Sequence, residues 1–147
     1  MGLVPLFNMG DIDAFMRNAE EQNKRNIIRV LRFVGEKAVN EARSSGTYQD
    51  RTANLRNSIG YVIVMDGKVT DENFSASATG TEPSSENPIK YGKDLAYDVA
   101  SRYSDIALIV VSGMRYGAFV EAMGYNVLTS AEQLANVQVP MLLKQLK

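Results

Sequence analysis

The side chains that could do chemistry in this sequence are carboxylates, arginines, lysines, hydroxyls and tyrosines, because it contains no histidine and no cysteine. That absence removes thiol nucleophiles, disulfides, zinc sites and every His-dependent triad. Catalysis would need paired carboxylates, a Lys or Ser pair, or a carboxylate-bound metal. The acidic pairs on offer are Asp11 with Asp13, Glu20 with Glu21, and Asp71 with Glu72. The first pair sits at an expected helix start, where capping and the helix dipole favour negative charge without a metal. The other two read as solvated faces. "DGKVTDENF" is only superficially a calcium loop, since Lys68 and Val69 fall where ligands and the glycine belong. "GTEPSSEN" lacks the Gly-Lys-Ser/Thr end of a phosphate loop, and no Gly-x-Gly-x-x-Gly follows a strand. No metal and no cofactor is expected.

Arg115, Tyr116 and Glu121 are the set a small His-free RNA-cleaving or toxin-like enzyme would use. Tyr97, Tyr103, Tyr116 and Tyr125, with Arg102 and Arg115 interleaved, could stack bases. Sixteen Lys and Arg against seventeen Asp and Glu leave a net charge of −1, which gives no overall field for nucleic acid. The tyrosines therefore read as core or interface residues. Glu121 is the odd residue of the apolar stretch "YGAFVEAMGY"; Arg51, Arg56 or Arg115 would make it an ion pair holding helix to loop.

The elements that must position these residues follow from periodicity. Ile12, Phe15, Met16 and Ala19, then Ile27, Val30, Leu31, Val34, Ala38 and Ala42, form an apolar stripe on a long N-terminal helix capped by Asp11. Its polar middle, "EEQNKRN", projects beyond the core or faces a neighbour. Gly35 inside it implies close backbone packing or a bend. Ile59, Tyr61, Ile63 and Met65 alternate along a strand, Asp66-Gly67 turns it, and a return strand starts near Lys68-Val69. "ATGTEPSSENP" reads as an exposed loop over about 78–88. An amphipathic helix is expected over Ile89 to Tyr103, a buried central strand in "DIALIVVSG", and a short helix from Tyr116 to Met123 ended by Gly124. There is room for a short strand over Asn126 to Leu128. Thr129 and Ser130, with Glu132 and Gln133 at capping-box offset, open a last helix that Pro140 must kink or interrupt.

These elements make one α+β domain of 147 residues, with a long N-terminal helix, a small mostly antiparallel sheet with a hairpin, and flanking helices. Residues 1 to about 10 are expected to be a flexible segment. "MGLVPLFNMGD" is too short and too broken by Pro5 and Gly10 for a signal peptide or a spanning helix, so an intracellular protein without membrane contact is expected.

"TANLRNSI", Thr52 to Ile59, resembles the Thr-Gly-x-Leu-Arg-x-Ser-Ile signature placed before the first strand in the tail-completion, or head-tail joining, proteins of long-tailed bacteriophages. "YGAFVEAMG", Tyr116 to Gly124, is similar to that family's Tyr-x-x-Tyr-Val-Glu-x-Gly helix. The order of elements also matches, and the resemblance spans the chain from about Asp11. Ala53 stands for the usual Gly, so the loop is not expected to use a positive φ there. Phe119 stands for a Tyr, Gly124 comes one residue late, and "VPMLLKQL" only faintly echoes the family's aromatic-Pro-Phe-Leu ending.

The resemblance implies a structural virion protein without catalytic activity, assembled in the bacterial host cytoplasm. It implies a homo-oligomeric ring, acting in tail completion or as a tail terminator, that meets neck or connector and tail-tube proteins and binds no specific nucleic acid. It marks Thr52, Leu55, Arg56, Ser58, Ile59, Tyr116, Val120, Glu121 and Gly124 as structural or interface residues. The polar middle of the first helix, the hairpin edge and the Thr81 to Pro88 loop are the segments left for intersubunit contacts. Thr52 and Asn54 are expected to hydrogen-bond the loop backbone, Leu55 and Ile59 to anchor it, and Arg56 to pair with Glu121. The rival readings are the His-free enzyme above and a generic protein-binding module.

Overall fold

A computed structural model describes residues 2–7, 21–76 and 78–146. The expected cap at Asp11, the stripe from Ile12 to Ala19 and the acids Asp11, Asp13 and Glu20 lie outside the described residues. The fold is α+β. Its elements are β1 (Gly2–Phe7), α1 (Glu21–Ser44), the single turn α2 (Asn54–Asn57), β2 (Ile59–Met65), β3 (Lys68–Phe74), α3 (Pro88–Ala100), β4 (Ala107–Ser112), α4 (Gly117–Ala122) and α5 (Thr129–Lys144). The strands form one antiparallel sheet in the order β1-β4-β2-β3.

Alternation along the two central strands divides the core. Ile59, Tyr61, Ile63, Leu108 and Val110 pack with Ile27, Leu31, Val34 and Ala38 of α1 and Ala131, Ala135 and Val139 of α5. Val62, Val64, Ala107, Ile109 and Val111 pack on the opposite face against Ala96, Val99 and Ala100 of α3. Both faces of β2 and β4 are therefore covered, and every residue of the two strands is buried. Asp66 and Gly67 have φ of 52° and 77°, as a tight turn of the twist-matched type requires.

Charged contacts lay β3 alongside α1: Lys24 faces Asp66 at 3.8 Å, Arg32 pairs with Asp71 at 3.1 Å, and Arg43 Nη2 donates to Ser75 O at 2.6 Å. The hairpin tip thus lies toward the N-terminal part of α1, and the chain leaving β3 lies at its C-terminal end. Gly35 makes room for the Tyr61 ring, since a Cβ would stand 2.9 Å from it.

Four expectations are corrected. Gly2–Phe7, expected as flexible, forms edge strand β1 on β4, a place where Pro5 removes no interior bond. No strand forms over Asn126 to Leu128. Pro140 does not interrupt α5: Ala131, Ala135 and Val139 hold the helix to the core, and Asn136, whose carbonyl faces the proline ring, is exposed to water. The capping box does not form, because Leu128 is the N-cap residue and has no side-chain capping bond.

A tight backbone seam joins the start of β2, the end of β4 and α3. Gly113 N–H reaches Ser58 O at 3.2 Å and Ser58 Oγ at 3.0 Å; Ser58 Oγ also donates to Leu55 O at 2.7 Å and lies 3.2 Å from Ser112 Oγ. A Cβ at Gly113 would lie 2.5 Å from Gly92 Cα, and one at Gly92 2.5 Å from Ser58 O. Backbone meets backbone here, so neither partner can give way. Gly113→Ala is expected to destabilise the fold by about 3 kcal/mol in urea unfolding with an unchanged m-value.

Candidate functional site

The two segments that resemble the phage proteins meet in space. Thr52, Leu55, Tyr116 and Val120 line one cleft of about 480 Å³, together with Glu82 and Ser84 of the long loop. Burial pushes the Tyr116 hydroxyl above its ordinary pKa, and the neighbouring Thr52 side chain works against that shift. A second hollow, of about 700 Å³, adjoins it through Glu86, Met114 and Tyr116 and is lined also by Tyr91, Leu95 and Arg115. Ser58 and Ile59 lie beneath, wholly buried.

The Thr52 to Ile59 segment works as a loop clamp. Ala53 has φ 63° and ψ 8°, contrary to the expectation that this position avoids a positive φ. The left-handed residue reverses the chain directly into α2, whose Leu55 is buried, and the strain is held by that packing. Thr52 Oγ1 accepts from Asn54 N–H at 3.3 Å, as expected. Asn54 Nδ2 donates instead to Ser84 Oγ at 2.7 Å, across to the long loop. Asn57 exchanges two bonds of 2.9 Å with the backbone of Ala78, and Glu82 N–H donates to Arg51 O at 2.6 Å. Gly80 packs so close that a Cβ would lie 2.6 Å from Thr52 Cα. The base of the loop is thereby stitched down, while Thr81 to Asn87 are all exposed.

Arg56 does not pair with Glu121. Its Nε donates to both Asp50 carboxylate oxygens at 2.9 and 3.1 Å, its Nη1 donates to Arg43 O, and its guanidinium lies 4.7 Å over the Tyr48 ring. Arg43 in turn donates to Ile59 O at 2.7 Å. The two arginines tie the C-terminal end of α1 to the entry of β2. Physically, Asp50 wins because it lies in the same loop, so little chain entropy is lost in bringing it to Arg56.

Glu121 caps a helix. Its Oε1 accepts from Leu128 N–H at 3.0 Å, Thr129 N–H at 2.9 Å and Thr129 Oγ1 at 2.5 Å, so α4 supplies the group that satisfies the first amides of α5. Burial pushes this carboxyl up, but the bonds from Thr129 and from the backbone of Leu128, Thr129 and Val127 outweigh it and hold it below the ordinary 4.5. Gly124, at φ 95°, ends α4: Tyr125 N–H donates to Val120 O at 3.4 Å and Gly124 N–H to Glu121 O at 3.0 Å, the paired bonds of a glycine-terminated helix.

Arg115, Tyr116 and Glu121 do not converge. Arg115 and Tyr116 line the larger hollow, whereas Glu121 borders a separate one of about 300 Å³ with Tyr125. The tyrosines also part company: Tyr97 donates to Glu72 of β3 at 2.8 Å, and Tyr103 packs against the core under α3. Among the described residues no three acids cluster as a metal site, and no helix is long and apolar enough to cross a membrane. Sequence reasoning missed Arg43, Tyr48, Asp50 and Asn57; the nearness of Asp50 to Arg56 was the available signal. Comparison with models of protein families, with curated proteins and with solved structures gave no match.

Two measurements check these roles. Arg56→Lys keeps the charge but loses the stacked fork, and is expected to cost about 2 kcal/mol in urea unfolding, with Arg56→Ala costing more. For Glu121, the folded pKa lies below the unfolded one, so its contribution is present above about 4.5 and lost as pH falls through the folded value. The melting temperatures of wild type and Glu121→Gln should therefore differ most near neutral pH and converge in acid; a constant gap would mean the charge is not what caps α5.

Proposed function

We propose that this chain is a structural virion protein of a phage or prophage, joining the tail to the head connector as a tail-completion or tail-terminator ring, and that it is not an enzyme. The observation that carries the reading is the meeting of the two resembling segments, far apart in sequence, at one cleft that Thr52, Leu55, Tyr116 and Val120 line together. Their separate details support it. Ala53 stands where the phage proteins use glycine, and its φ of 63° is one that glycine adopts without cost. Gly124 is likewise left-handed, and the glutamate of the second motif has a backbone-capping task that makes no demand for a catalytic partner.

The chemistry of the rival enzyme finds less support. Its carboxylate, Glu121, already accepts three hydrogen bonds and opens on a different hollow from Arg115 and Tyr116. A clamped loop base carrying an exposed tip suits assembly, because a presented loop can bind a neighbour without the domain refolding. Deleting the gene from the genome that carries it, followed by electron microscopy of the lysate, tests the reading. Full heads beside unattached tails are expected, with joining restored by the gene in trans; joined, infectious particles without the protein would overturn it.

A further inference from the structure

We infer that the exposed acidic loop Thr81 to Asn87 of one copy docks on a basic cleft between α1 and β3 of a second copy. The inference rests on the ring reading above for its biological setting, and on charge and geometry for its substance.

Arg25, Arg29 and Arg32 recur at spacings of four and three, which puts them on one face of α1. With Ile28, Thr70 and Asp71 they line a cleft of about 350 Å³ beside edge strand β3. Arg32 is engaged with Asp71 at 3.1 Å. Arg25 and Arg29 are exposed and form no ion pair among the described residues. Two guanidinium forks one helical turn apart, with Ile28 between them, suit a short segment with two carboxylates.

Such a segment is present in the same chain. "TEPSSEN" carries Glu82 and Glu86, no Lys and no Arg, and all seven of its residues are exposed. Among the described residues the Glu82 carboxylate pairs with Arg51 alone, at 3.3 Å with both side chains more than half exposed, a contact that exchanges readily for a better one. The loop cannot reach the cleft of its own copy. Its base is bonded to Asp50, Arg51 and Asn54, beyond the C-terminal end of α1, whereas the cleft lies near the opposite end. Arg29 and Ser44 are separated by roughly 20 Å of helix. The contact is therefore between copies, and in the ring setting it is head-to-tail, each copy giving its loop to one neighbour and its cleft to the other, the type that forms rings when the rotation closes. A chain with net charge of only −1 gains this polarity by segregating its charges.

The absence of cysteine makes the test free of background. Chains carrying Thr70→Cys, at the cleft edge, are mixed with chains carrying Ser85→Cys, at the loop tip, and oxidised with copper phenanthroline; both changes leave every charge in place. Mixed disulfides are expected in about tenfold excess over self-pairs, falling toward random proportion at about 1 M salt, where the Debye length is roughly 3 Å. Arg25→Glu with Arg29→Glu in the Thr70→Cys chain should abolish the excess, and Glu82→Lys with Glu86→Lys in the partner should restore it. Random proportions of mixed and self-pairs, or an excess that survives the arginine reversal, would overturn the inference. If the excess is absent while native mass measurement still finds a closed ring, this interface falls and the ring reading stands. If the excess appears without ring closure, the interface stands and the ring reading falls.

Discussion

The structure depends on one close approach, where Ser58, Gly92 and Gly113 bring the start of β2, α3 and the end of β4 within backbone contact. Ser58 is wholly buried, and its carbonyl and hydroxyl both accept from Gly113 N–H. Those bonds set the register in which Ile59 faces Ser112, and a slip of one residue would turn Leu108 and Val110 away from α1. Gly92 lets α3 descend onto the same point, which fixes where the preceding loop must end. The sheet, α3 and the exposed loop are thus positioned by three residues without large side chains.

Around that seam, charged groups act mainly as fasteners of backbone. Arg43 and Arg56 hold the end of α1 against the entry to β2, and Glu121 closes the open amides of α5. Each lies at a chain end or loop where carbonyls or amides have no ladder partner, so losing the side chain would strand polar backbone. Glu121, the carboxylate of the candidate catalytic set, is engaged in this way. Other charged groups are peripheral: Arg25 and Arg29 of α1, which form no ion pair among the described residues, and the exposed acidic loop, whose Glu82 pairs only loosely with Arg51.

The parts of the fold legible in the sequence were those set by local signals. The Asp66-Gly67 turn, the alternation from Ile59 to Met65 and the apolar run from Ala107 to Ser112 each specify an element within a few residues. β1 was not legible, because its only evidence is pairing with β4, more than a hundred residues later. Glu121 was read as a partner for an arginine since side-chain charge is visible in a sequence, while the bare amides at the start of α5 are not. Ala53 misled for a related reason: its residue type argues against a positive φ, and only the surrounding clamp of Leu55 and the loop bonds forces one. The clamp was half legible, in that Thr52, Leu55 and Ile59 have the expected tasks while Asn54 and Arg56 take other partners.

The domain presents an acidic loop beyond the C-terminal end of α1 and a cation-bearing face farther along the same helix, the arrangement from which we infer contact between copies. Hydrogen–deuterium exchange of the chain, compared between dilute and concentrated samples, tests that most directly. Amides of Leu55 to Ser58 and of Gly113 should be slow in both. On concentration, protection should appear at Thr81 to Asn87 and along 25–32 and 68–71, and nowhere else. Protection confined to other surfaces, or rapid exchange through the Ser58 seam in the dilute chain, would contradict the account.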